Sequence, residues 1–237
     1  MSELRKRQQA AIEAVVRHFS ATREDGSKES PNAYVVIAGK QIAVEVAVIE
    51  QKGAKQGSFA KPRLRFDKVV LGLVGGLRAA LREFVPDGQT VLLTVTAPIW
   101  LPSKTAAVLE DKIKVCLARR SAQPEIKDTI HGNQIRVRVV KGGSKGNSKF
   151  IGFVHNPDSD PEVLLNLTQS LLLYIGAAAS KPAPKKFTGD RWLVVANEDG
   201  LSHIETYRHI YAQLTIPTDF KKILIVLAGG RVETLDG

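Results

Sequence analysis

Three places along the chain gather residue types that do chemistry. The first is a pair of apolar runs with Pro31-Asn32 before them, Glu45-Val46-Ala47 inside the second and Glu50-Gln51-Lys52 after it. Here an amide, an acid and a lysine stand at or near strand ends, and a second acid stands mid-strand. The second is Gln51 to Phe66, where Lys52, Lys55, Lys61, Arg63 and Arg65 occur without one acidic residue. Such a run suits contact with phosphates. The third is the lysine- and glycine-rich stretch Lys141 to Lys149. Glycine amides and a lysine can cradle phosphate, but a Walker loop needs Gly, four residues and Gly-Lys-Ser/Thr at the start of a helix. A strand is expected after Lys149, so this stretch reads as a solvated hairpin tip.

Other chemistries lose their support. His18, His131, His155, His203 and His209 lack the spacing of a metal site, and His203 and His209 do not share a helix face. Cys116 lies between Val115 and Leu117 in a helical pattern, which predicts a buried structural thiol. No Gly-x-Gly-x-x-Gly fingerprint occurs.

The segment from Ser30 to Lys52, preceded by a helix bearing Glu13, resembles the PD-(D/E)XK nuclease-like superfamily. Members place a Pro-Asp at the start of one strand and an acid, a spacer and a lysine on the next, often with a glutamate from the preceding helix. The resemblance implies a restriction-endonuclease-like fold and a site in which carboxylates bind Mg²⁺ while a lysine orients the attacking water. Catalytic roles would fall to Glu50, Lys52 and Asn32, metal ligation to Glu50, Glu45 and Glu13, and nucleic-acid contacts to Lys55, Lys61, Arg63 and Arg65. Asn32 departs from the pattern, because a neutral amide is a poorer metal ligand than Asp. Side chains alternate along a strand, so only one acid can share a face with Asn32. A two-residue turn puts Asn32 with Glu45 and Ala47; a three-residue turn with a Gly39 bulge puts it with Glu50 and Lys52. The intact acid-spacer-lysine pattern favours the second.

The elements that would position these residues follow from periodicity. Leu4, Ala11, Ile12, Val15, Val16 and Phe19 predict an amphipathic helix over residues 2–21. Residues 33–37 and 41–50 predict an antiparallel hairpin about Ala38-Gly39-Lys40, packed against that helix and against a second helix over 67–84. Further on, the pattern predicts a strand over 90–99, a helix over 103–120 and strands over 126–140 and 150–154 joined as a long hairpin. Arg136 and Arg138 give that hairpin one cationic face. A helix from Pro161, too polar and short to span a bilayer, and a strand-helix-strand unit over 192–227 complete the chain.

Composition sets the frame. The 237 residues, 43% hydrophobic and 24% charged, are enough for a full core, and a mean hydropathy of -0.08 excludes a membrane bundle. One cysteine excludes an internal disulfide, and no apolar leader follows Met1, so a cytoplasmic protein is expected. A net charge of +10 favours polyanionic partners without identifying one; nucleic acid is the expected partner, and no membrane is expected. Oligomeric state leaves no signature. The expected fold is α/β: a single domain over 1–237 with a central mixed β-sheet flanked by helices, a nuclease-like core over 2–120 and a closing unit over 192–227. The expected function is a nucleic-acid-binding, nuclease-like protein with Mg²⁺-dependent phosphodiester hydrolysis. The alternative is a binding or assembly module that keeps the fold without an active site, to be recognised by fewer than two convergent carboxylates.

Overall fold

A computed structural model describes residues 2–25, 31–49, 63–118, 125–141, 148–183, 187–197 and 203–235. In chain order the elements are α1 (Glu3–His18), β1 (Thr22–Asp25), β2 (Ala33–Ile37), β3 (Lys40–Val48), α2 (Lys68–Leu81), β4 (Gln89–Thr96), α3 (Pro102–Ala118), β5 (Glu125–Ile130), β6 (Asn133–Lys141), β7 (Phe150–His155), α4 (Pro161–Ala179), β8 (Arg191–Ala196), α5 (Ile204–Leu214), β9 (Lys222–Leu227) and β10 (Arg231–Thr234). The class is α/β with mixed sheets and flanking helices, as expected. In place of a single central sheet, the described strands form two sheets, one in each of two compact units. The first unit comprises Met1–Gln56, Leu173–Ala212 and Ile216–Gly237, the second Gly57–Leu172 and Gln213–Thr215.

In the first unit the strand order is β1-β2-β3-β8-β9-β10. The first three strands form an antiparallel meander, β3, β8 and β9 run parallel, and β10 returns antiparallel. Ile37 pairs with Lys40, leaving the two-residue turn Ala38-Gly39 with φ of +47° and +77°. Two positive φ values make a primed turn, whose twist matches the flanking strands. Helix α1 starts where the Ser2 hydroxyl accepts the Arg5 N–H at 3.4 Å. It buries Ala11, Ile12, Ala14 and Val15 in a core with Val35, Val44, Val46, Val194 and Val226. Every residue of β8 is buried, as in parallel strands covered on both faces.

In the second unit the order is β5-β6-β4-β7, with β4 and β7 parallel and the other pairs antiparallel. Helix α2 is capped by Asp67, whose carboxylate accepts the Val70 N–H at 3.2 Å. It buries Val70, Leu73, Val74, Leu77 and Leu81. These side chains share a core with Val91, Leu93, Val137 and Phe150, so the expected packing of this helix on the 33–50 hairpin is replaced by packing on β4, β6 and β7. Gly152 permits the close approach, because a Cβ there would lie 2.9 Å from Val74 Cγ1. Cys116 is buried in α3, as predicted.

The long hairpin about Lys141–Lys149 is also corrected. The chain reverses at His131-Gly132, both at positive φ, to pair β5 with β6, while β7 joins β4 in parallel. Helix α4, predicted to be too polar and short for a bilayer, does reach the length and apolarity of a membrane span. Its Leu164, Leu165, Leu171, Leu172 and Ile175 are all fully buried within the protein.

Candidate functional site

The hairpin register decides which acid Asn32 accompanies. Ala33 lies opposite Val44, and the Asn32 N–H donates to the Val44 carbonyl at 3.0 Å. Asn32 is therefore across from Glu45, on the side of Glu45 and Ala47. This is the two-residue-turn alternative, and it separates Asn32 from the side occupied by Val46 and Val48. Glu50, Lys52, Lys55 and Lys61 lie outside the described residues. The Asn32 side chain is committed to the backbone: Oδ1 accepts the Val46 N–H at 2.7 Å. It stands in for a strand carbonyl where β2 has not yet begun.

Glu45 is the centre of the group. It is 2% exposed and lies on a strand whose neighbour β8 begins with Arg191, itself 6% exposed. Arg191 Nη2 donates to Glu45 Oε1 at 2.6 Å, and Lys181 Nζ, just beyond α4, lies 3.5 Å from Oε2. Arg191 also hydrogen-bonds Asp219 through Nη1 and lies over the Phe220 ring at 4.7 Å. Burial works against the charge of Arg191, but hydrogen bonds to Glu45 and Asp219 outweigh it and hold its pKa above the ordinary value. A cavity of about 350 Å³ opens beside this group, lined by Gln8, Glu45, Ala47, Tyr174 and Lys181 among others. From α1 it receives Leu4 and Gln8; Glu13 is exposed and does not line it.

The described donors by themselves do not fit Mg²⁺. Among the described residues one carboxylate, Glu45, faces this cavity, an amide occupied by the backbone stands across from it, and two cations neutralise the carboxylate. Among the described residues no group of three or more His, Cys, Asp or Glu side chains is placed to hold a metal. Sequence spacing missed Arg191, Lys181 and Asp219 because Arg191 lies 146 residues from Glu45. The one local signal was a charge opening the otherwise apolar strand Arg191-Trp192-Leu193-Val194-Val195-Ala196.

The remaining predicted contacts lie in the second unit. Arg63 and Arg65 are exposed; their N–H groups donate to Ser159 Oγ at 2.9 Å and the Val154 carbonyl at 2.8 Å, and Arg65 pairs with Asp67 at 3.1 Å. The cationic face of β6 is ion-paired, since Arg136 and Arg138 both bond Glu162, Glu125 lies 3.7 Å from Arg138, and Arg138 also bonds Asn166 at 2.7 Å. Burial raises the Glu162 pKa, but these arginines, Arg138 foremost, bring it below the ordinary carboxylate range. His155, 2% exposed, is pushed below the usual imidazole range by burial, and its Nδ1 donates to the Asn156 carbonyl at 2.9 Å. Comparison with protein-family models, curated proteins and solved structures finds no match to the chain.

Proposed function

We propose that the protein binds nucleic acid without hydrolysing it, as a binding module whose first unit resembles the PD-(D/E)XK layout. The observation that carries this is the ion-paired state of Glu45. A metal-dependent nuclease needs carboxylates free to share a cation, and here the buried carboxylate is already matched by Arg191 and Lys181. The order of α1, the meander β1-β2-β3 and a parallel strand β8 supports the likeness to that superfamily. Binding is supported by the net charge of +10 and by the acid-free segment from Lys52 to Arg65 with its five basic residues.

Fluorescence anisotropy with labelled single- and double-stranded DNA and RNA, titrated across salt, tests the binding. Affinity should fall linearly with salt on logarithmic axes, and neutralising Lys61, Arg63 and Arg65 together should flatten the slope by about one for each phosphate no longer neutralised. No binding even at low salt would refute the proposal. Mg²⁺-dependent cleavage abolished by Glu45→Gln would restore the hydrolase.

A further inference from the structure

Helix α2 breaks local rules on the face away from its core. Gly75, Arg78, Ala79 and Arg82 follow one another at intervals of three, one and three residues and so line one side of the helix. Gly75 weakens a helix interior, yet a Cβ there would meet nothing within 4 Å, so no packing demands it. Arg78 stands in the last turn of α2 and Arg82 at its C-cap, four residues apart on the same side. All four line a cleft of about 570 Å³ whose opposite wall includes Lys149 and Thr215. Thr215, a β-branched residue, sits at φ +43°, a second local cost in the same place. When two elements of one cleft contradict their local preferences, function is the usual reason.

The charges in the cleft are positioned and largely uncompensated. Arg78 Nη2 donates to Gln213 Oε1 at 2.9 Å, and that oxygen also accepts the Gly152 N–H at 3.3 Å, so a neutral side chain held by backbone aims the guanidinium. Among the described residues neither Arg78 nor Arg82 has an ion pair. Lys149 is paired with Asp87 at 3.0 Å. Two unmatched guanidiniums beside a bare helix face suit a phosphate, which accepts their forked donors, with the attached nucleoside lying over Gly75 and Ala79.

We propose that this cleft binds the phosphate of a nucleotide, either free or within a strand. It is separate from the Glu45 group. The strand branch rests on the nucleic-acid binding proposed above; the free-nucleotide branch does not.

The test uses the full chain and two variants, Arg78→Gln/Arg82→Gln and Gly75→Leu, titrated with adenosine monophosphate, inorganic phosphate and a labelled ten-nucleotide single strand. Gly75→Leu fills the cleft with a good helix former, so it should raise Tm while abolishing binding. The arginine variant should keep Tm and lose at least tenfold in affinity, and for the strand its salt slope should fall by about one, for the one phosphate no longer neutralised. Loss of mononucleotide binding in both variants supports the free source; loss confined to the strand supports the strand source. Strand binding unchanged in both variants, with no mononucleotide bound by the parent chain, overturns the cleft and leaves nucleic-acid binding standing. A parent chain that binds none of the three probes overturns both, and loss in only one of the two variants overturns the cleft.

Discussion

Replacing Arg191 by Met should destabilise the first unit by about 3 kcal/mol. Breaking a buried ion pair from one side leaves an uncompensated charge and costs about 3–5 kcal/mol. Here Glu45 is 2% exposed and its main partner is Arg191 at 2.6 Å. Lys181, 48% exposed and 3.5 Å away, keeps partial compensation, which places the cost at the lower end. Asp219 is 53% exposed, so losing its arginine adds little. Glu45→Gln keeps a hydrogen-bond acceptor and leaves Arg191 paired with Asp219, for a cost of about 1–2 kcal/mol. The double variant should cost less than the sum, with a coupling energy of about 2 kcal/mol. The assay is urea denaturation followed by Trp192 fluorescence in a Trp100→Phe background, since Trp192 is buried in the first unit and Trp100 is exposed. An Arg191→Met cost under about 1 kcal/mol, or additive single variants, would refute the idea that Glu45 serves as an ion-pair anchor.

Further outcomes are expected elsewhere in the chain. Ala38→Asn should stabilise the hairpin by about 1 kcal/mol, because Ala38 holds φ +47° in a primed turn that Asn tolerates; thermal melting checks it. The folded pKa of His155 lies below its unfolded value, so the unfolded chain takes up the proton first and stability should fall as pH drops below about 6.5; a flatter profile between pH 5 and 7 is expected for His155→Gln. For Glu162, burial raises the pKa and Arg138 more than offsets it, so the group contributes stability above the unfolded carboxylate pKa that is lost as pH falls through the folded one. Glu162→Gln should therefore flatten the melting profile below about pH 4. Millimolar Mg²⁺ should leave Tm unchanged, since only a ligand bound to the native state raises it; a rise absent from Glu45→Gln would show a metal site.

Much of the fold was legible from local pattern. The periodicity of α1, the two apolar runs about Ala38-Gly39 and the Asp67 cap each depend on residues close in sequence. Pairing between distant strands did not. β7 is buried throughout, so it carries no alternation to reveal that its partner is the parallel β4 and not β6, and His131-Gly132, the true turn, was hidden inside an apparently continuous strand. The candidate site divided the same way. The choice of face reduced to one residue of turn length, which the residues about Gly39 could satisfy either way, and the hydrogen-bonded pair Ile37–Lys40 settled it. Arg191 and Lys181 reach Glu45 only through the parallel placement of β8, which no spacing records.

The most direct test of the central claim is one incubation of the protein with an end-labelled strand in Mg²⁺ at low salt, divided between a native and a denaturing gel. Binding without hydrolysis predicts a retarded band on the first and a full-length strand on the second. A shortened strand that disappears with Glu45→Gln, or an unretarded strand at every protein concentration, would contradict it.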